Sequence, residues 1–341
     1  MQNKILLILL LFFNSANSQI NNIKLTKPDT CFYSFIALGH AYGDPMGRST
    51  LPALSLRSNI DFINALNIDF IVSLGDNIKS TTKANLKGFQ DSFLNRVKVP
   101  VFNAVGNHDV INYSLYNKWF GKTYYHYHYG GDLFIFLDTE ENTGDIKGLQ
   151  LDYLMSLLKN KFLLKAVNNV FIFSHKLIWA NKEKYEIIYK HVNGPVGYKN
   201  LNNFSKIIEP AIERLGLSKN IYWLSGDIGV SWSLPLFYNK DIKSNIRYIA
   251  TGIGETDNDA IIKVNVFKDS VVFKPILLSN KKILRLEDYN VAYWENHFKE
   301  KETPKSQNYI SRKVVGFIFK NLCVVLVFGV LFICAVLYFK N

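Results

Sequence analysis

The sequence predicts an α/β fold, two layers of sheet covered by helices, on three observations. Short β-rich apolar runs recur along the chain, each followed at once by polar or glycine residues, as strands buried on both faces would be. Between the first two runs, Leu56, Ile60, Ile63 and Leu66 recur at helical spacing, so strand, helix and strand follow in turn. The last three runs come with no long helix between them.

In chain order, residues 1–18 are set aside first. Met1 to Lys4 is a short polar segment with one cation, Ile5 to Phe13 is unbroken apolar, and Ala16-Asn17-Ser18 offers small residues for cleavage before Gln19: the pattern of a signal peptide. The strand runs are Phe32 to Leu38, Phe70 to Leu74, Val99 to Val105, Leu133 to Leu137, Val170 to Phe173, Ile221 to Leu224, Tyr248 to Thr251, Ile261 to Val266 and Val271 to Ile276. Tyr124 to Gly131 leads into Leu133 as a β-hairpin, where His126 and His128 share one face. That pair reads first as a half-exposed strand face and second as a metal or phosphate contact. Leu149 to Leu158 is a further helical segment. The main domain is expected over 19–298, a polar linker carrying Pro304 over 299–313, and a membrane-spanning helix over 314–339. Within the last, Leu322 to Phe339 is 18 uncharged, almost wholly apolar residues. Arg312 and Lys313 give no positive-inside support, so the signal peptide decides the orientation. The expectation is a single-pass membrane protein with its bulk on the exoplasmic side, in a bacterial envelope rather than a eukaryotic secretory membrane.

Composition bounds the function. With 48% apolar and 20% charged residues among 341, the chain is globular, not disordered, collagenous or a disulfide scaffold. The formal charge of +12 becomes +7 once Lys4, Arg312, Lys313, Lys320 and Lys340 in the end segments are set aside. Lysine is spread without a dense block, which suits an anionic substrate or membrane surface and does not indicate nucleic acid. Of three cysteines, only Cys31 lies outside the C-terminal apolar run, so no intrachain disulfide forms in the exoplasmic part.

The chemistry lies at the ends of the strands, where ligands gather in open α/β sheets. Successive runs lead into Gly39-His40, Gly75-Asp76-Asn77, Gly106-Asn107-His108-Asp109, Ser174-His175 and Ser225-Gly226-Asp227-Ile228-Gly229. Singly, Asp76 and Asp227 read as turn formers or helix caps, and His175 as a hydrogen-bonded structural histidine. As an ordered set they point to a metal site. Asp44, Arg48 and Glu255 fall in loops expected to border it, and loops 181–200 and 234–244 are expected to set specificity.

From about Phe32 to Ile276 the ordered set resembles the calcineurin-like metallophosphoesterase superfamily, whose motifs run D-x-H, G-D-x, G-N-H-D/E, a lone His and G-H-x-H. The Gly130-Gly131 hairpin and the Gly148-Leu149-Gln150 helix start are similar to the elements C-terminal to G-N-H-D in many members. The resemblance implies a four-layer α/β/β/α sandwich. It implies further that Asp76 bridges two metals, that Asn107 and His175 bind the second, that His108 donates to the leaving group, and that Asp109 orients His108.

The chain also departs from that pattern. Leu38 stands where the first motif has aspartate, Asp227 replaces the first histidine of the last motif, and Gly229 replaces the second. The first metal site keeps His40 and Asp76, joined by water or Asp44 if it holds a weak second ion. The second has Asp76, Asn107, His175 and Asp227, a set suited to one tightly bound divalent ion of Mn, Zn, Fe or Mg. The resulting reading is a membrane-anchored phosphoesterase that cleaves a phosphorylated small molecule, glycan or lipid through a metal-activated water. In it His40 orients the phosphate or a weak second ion, and His108 with Asp109 protonates the leaving oxygen. The alternative is an inactive member that binds a phosphorylated glycan or lipid, and hydrolysis of a non-phosphate bond is a weaker third.

Overall fold

The computed structural model describes residues 19–26, 32–47, 49–181, 183–193, 202–230, 234–241, 243–279 and 281–301. The expected signal peptide and membrane-spanning segment lie outside them, as do Cys31, Arg48 and most of the expected linker. Among the described residues no helix is long and apolar enough to cross a membrane.

The strands in chain order are β1 (Tyr33–Leu38), β2 (Phe70–Ser73), β3 (Val101–Asn103), β4 (Tyr125–Tyr129), β5 (Asp132–Phe136), β6 (Asn169–Ser174), β7 (Asn220–Ser225), β8 (Leu236–Lys240), β9 (Ile246–Thr251), β10 (Ala260–Val266) and β11 (Val271–Leu277). The helices are α1 (Leu54–Ser58), α2 (Ile60–Asn64), α3 (Lys83–Phe89), α4 (Tyr113–Phe120), α5 (Gly148–Lys159), α6 (Lys161–Lys165), α7 (Glu186–Tyr189), α8 (Glu209–Gly216) and α9 (Val291–Lys301). Residues to Val291 form one unit; Ala292 begins a second, whose described part belongs to α9.

One sheet has the order β11, β10, β1, β2, β3, and the other β4, β5, β6, β7, β9, β8. β1, β2 and β3 are parallel, as are β5, β6, β7 and β9, so each sheet gathers its carboxyl ends on one edge. β10 and β11 at one flank, and β4 and β8 at the two flanks of the other sheet, run antiparallel to their neighbours.

The expected strands are all present. The helix expected from Leu56 to Leu66 is divided at Asn59, whose side chain donates to Ser55 O (2.8 Å) between α1 and α2. One expectation is corrected: part of loop 234–244 is strand β8, antiparallel to β9 with Leu236 and Phe237 buried. Pro235, directly before it, and polar Asn239-Lys240 at its end disguise it, and both are tolerated because β8 is an edge strand.

Alternation within strands builds the core. Phe35, Phe70, Phe134, Phe136, Phe171 and Phe173 point into the space between the sheets and pack with Tyr127 and Tyr222 as one buried aromatic layer. Phe35 lies 5.0 Å from Phe70, stacked, and 5.5 Å from Phe171, edge-on. The alternate residues Ile36, Leu38 and Ile71 face the other way, against Leu56, Ile60, Ile63, Leu86 and Phe89 of the helices. On the second sheet, Trp223 faces outward and meets Phe204, just before α8, at 5.3 Å. Phe35→Ala is expected to lower the unfolding free energy by about 3–5 kcal/mol. Urea unfolding of the full chain measures this, and a loss under about 1 kcal/mol would show that the aromatic layer does not couple the sheets.

Candidate active site

The polar groups collect where the carboxyl edges of the two sheets meet. β1 delivers His40, β2 Asp76 and β3 the turn of residues 106–109; β6 of the other sheet delivers His175 and β7 Asp227. Main-chain hydrogen bonds clamp these loops: His40 N donates to Gly75 O (3.0 Å), Tyr42 N to Asp76 O (3.0 Å), and Asp227 N to His175 O (3.1 Å). His40 and Asp76 both hold left-handed backbone, at φ 54° and 56°, where non-glycine residues are uncommon. Such strain, roughly 1–3 kcal/mol per residue, persists only where the surroundings enforce it and collects at functional sites.

Asp76 is the centre. Its Oδ1 accepts from His108 N (3.0 Å), while Oδ2 lies 3.3 Å from His175 Nε2 and 3.7 Å from His40 Nε2. Asp227 Oδ1 approaches the same His175 nitrogen at 3.7 Å. Both imidazoles are fixed from behind: His175 Nδ1–H donates to Leu74 O (2.8 Å) and His40 Nδ1–H to Ile253 O (2.9 Å). A main-chain carbonyl behind Nδ1 sets the tautomer and turns Nε2 forward, as in metal-ligating histidines. His175 Nε2 is buried and makes no hydrogen bond, although two carboxylates flank it.

The electrostatics show that the cluster calls for positive charge between its carboxylates. Burial by itself lowers His175, but Asp76 and Asp227 outweigh it and push the group up to about 10. Burial works against the Asp76 carboxylate too, yet His175, His108 and His40 hold it well below the usual range. His40, where burial dominates over Asp76, falls to about 4, and burial raises Asp227. A lone pair aimed at two carboxylates is repulsive unless a proton or a metal cation lies between them.

His40, Asp76, His108, Asp109, His175 and Asp227 are thus brought together, and the Asn107 side chain is exposed in the same turn, between Gly106 and His108. Among the described residues no group of three or more His, Cys, Asp and Glu side chains forms a ready-made metal site. The contacts instead radiate pairwise from Asp76 and His175. The role expected for Asp109 is corrected. Its carboxylate does not orient His108; it accepts from the main-chain N–H groups of Asp76 (2.9 Å), Asn77 (2.8 Å) and Gly106 (3.0 Å). Main-chain donors approach it because the turn bends back over its side chain. His108 is oriented instead by Lys79 O, which accepts from Nδ1 (2.6 Å), and by the Tyr42 hydroxyl, which donates to Nε2 (3.2 Å).

Tyr42 escapes a reading of the sequence. Its ring lies 4.3 Å from that of His40 and 4.7 Å from that of His108, and the only signal is an aromatic two residues past Gly39-His40. Of the expected border residues, Asp44 accepts from Met46 N (2.8 Å) and Glu255 from Leu54 N (2.8 Å), both within loop architecture. Of the three departures from the motifs, those at Leu38 and Gly229 are fixed by their surroundings. Leu38 is fully buried among the helices, and at Gly229 (φ 109°) a Cβ would run into the main chain of Gly252. His126 and His128 lie on β4, half-buried and exposed respectively, away from this cluster.

No protein-family model matches the chain, and no curated protein matches it. Among solved structures its fold is similar to that of a purple acid phosphatase, PPD1, isolated from yellow lupin (Lupinus luteus) seeds. The TM-score is 0.50 at 10% identity, and the match covers 77% of this chain and 55% of that one. The chain therefore spans about half the length of that structure, and the likeness is one of fold: a mixed α/β architecture with two sheets.

The geometry generates two expectations. Asp109→Ala strands several buried N–H groups, each costing roughly 1–3 kcal/mol, so the unfolding free energy should fall by about 3 kcal/mol or more in a denaturant titration. For His126, burial and then His128 lower the pKa from 6.5 to about 4. Between those values the unfolded chain binds a proton that the folded chain refuses, so stability declines as pH falls through that window. Relative to the parent, His126→Gln should lose less stability on acidification from about pH 7 to about pH 4.5, as read by urea midpoints.

Proposed function

We propose that this protein is a phosphoric ester hydrolase whose reaction centre is Asp76. The observation that carries the reading is the convergence of His40, Asp76, His175 and Asp227 from both sheets, with each Nδ1 bonded to a main-chain carbonyl and each Nε2 turned toward carboxylate. Imidazole and carboxylate together would suit a divalent ion of Mn, Zn, Fe or Mg, which Asp76, His175 and Asp227 would hold. When bound, such an ion polarises a phosphoryl oxygen and lowers the pKa of water. The chain's own groups do the rest. His40, whose Nδ1–H is held by Ile253 O, presents an Nε2 lone pair suited to a weakly held second cation. Water oxygen attacks phosphorus and gives up a proton to solvent, the ester P–O bond breaks, and the leaving oxygen takes a proton from Nε2 of His108 in its imidazolium form, in which Lys79 O still accepts from Nδ1 and the Tyr42 oxygen turns to accept from Nε2. No serine or cysteine nucleophile is required. The substrate is a phosphomonoester or phosphodiester of a small molecule, glycan or lipid. The apolar run over 314–339 supports anchorage in a membrane with this domain on the exoplasmic side.

A second reading, a binding module that has lost catalysis, is favoured by buried Leu38, exposed Asn107 and the side-chain-free backbone at Gly229. Elemental analysis of the full chain after equilibration with Mn, Zn and Fe separates the two, alongside hydrolysis of p-nitrophenyl phosphate and bis(p-nitrophenyl) phosphate. The expected outcome is retained metal and hydrolysis, both lost in Asp76→Asn. A metal-loaded, active Asp76→Asn would overturn the assignment, and metal without hydrolysis of either ester would select the binding module. His108→Gln should keep the metal and slow hydrolysis by about 10²-fold or more, with the larger loss for alkyl leaving groups that need the proton most.

A further inference from the structure

A groove of about 720 Å³ lies between α5 and α6 on one side and α8 with the turn before it on the other. Its floor is apolar, from Leu158, Leu164, Ala211 and Leu215. Its rim carries six cations, Lys159, Lys161, Lys165, Lys206, Arg214 and Lys219, and among the described residues no carboxylate lines it. Asp152 and Glu213 lie on the same helices outside the lining. Ile207 (42%) of the lining is exposed, as are Phe162 (69%), next to Lys161, and Leu217 (77%), next to Ser218. Lys165 and Lys219 shortly precede β6 and β7, so the groove belongs to the amino ends of strands whose carboxyl ends carry the candidate active site.

We propose that this face docks on an acidic lipid bilayer, with Phe162, Ile207 and Leu217 entering the headgroup layer and the five exposed cations Lys159, Lys161, Lys165, Lys206 and Arg214 meeting phospholipid phosphates, while Lys219 is held by Val167 O. Two features select this occupant. Charge complementarity calls for an anionic partner, because a chain of +12 concentrates cations without lining carboxylates at a place where apolar side chains also protrude. A flat partner with both an anionic and an apolar layer matches that mixture, which is how interfacial segments bind membranes. This inference is independent of the hydrolase reading and of the apolar C-terminal run: it concerns a separate surface, on helices and at the opposite ends of the strands from the candidate site.

The test is lysine footprinting of the full chain with an acylating reagent and mass spectrometry. It compares vesicles of phosphatidylcholine alone with vesicles of equal phosphatidylcholine and phosphatidylglycerol. Acylation of Lys159, Lys161, Lys165 and Lys206 should slow at least about fivefold with the acidic vesicles only, while exposed Lys87 and Lys190 stay unchanged. Because the footprint reads the groove itself, attachment through another segment does not imitate it. Each cation near an acidic bilayer strengthens binding about fivefold, so combining Lys161→Glu, Lys165→Glu and Arg214→Glu should weaken it about a hundredfold and abolish protection of Lys159 and Lys206. These exposed positions leave the fold, checked by its melting curve, intact. Equal acylation with both vesicles, protection that survives the charge reversal, or equal protection by poly(glutamate) or inorganic phosphate without vesicles would overturn the proposal.

Discussion

Everything at the candidate site depends on the spacing of the two sheets. Asp76 and His40 hang from one, His175 and Asp227 from the other, and they meet only because the aromatic layer holds the sheets face to face with their carboxyl edges aligned. Packed sheets lie about 10 Å apart, set by the side chains between them. Phe35 and Phe70 on one side, and Phe134, Phe171 and Phe173 on the other, fill that space with rigid rings that have few ways to adjust. The hydrogen bond from His175 to Leu74 O then pins the second sheet's histidine to the main chain of the first, and the site inherits the rigidity of the core.

That rigidity is what sustains the strained backbone. His40 and Asp76 sit in left-handed conformations that neither would choose alone, and each is locked by main-chain bonds to its neighbour's loop. Asp109 supplies the remaining constraint, since one buried carboxylate gathers N–H groups from the loops after both β2 and β3. Burial first, and then Asp76 nearby, raise its pKa to about 6, so this anchor carries an electrostatic cost that the hydrogen bonds offset only in part. A charge spent on the scaffold beside the centre is thus part of how the centre is held.

Much of this was legible in the sequence. Strand residues buried on both faces, such as Tyr33 to Leu38, leave an apolar run broken only by Ser34, and the polar residue after each run marks the sheet edge. His40, Asp76, His175 and Asp227 could be placed in one cluster from that pattern alone. What could not be read was contact between distant residues. Asp109 looks like a catalytic partner because it adjoins His108, but its bonds go to Asp76, Asn77 and Gly106 across a turn. Tyr42 looks like one aromatic among many until the loop folds its ring between two histidines. β8 is short, lies just after a proline and is half polar, so only its pairing with β9 reveals it.

The backbone at Gly229 bears on the history open to this protein. The segment Ile228-Gly229 lies directly against Gly252 and Gly254, main chain on main chain, with no volume left for a side chain. A side chain cannot be introduced at such a position by changing one codon, because two loops would first have to separate. The contact behaves as a ratchet. A chain that has closed it can adjust the donors around Asp76, but it has no single-step route to an imidazole at that place.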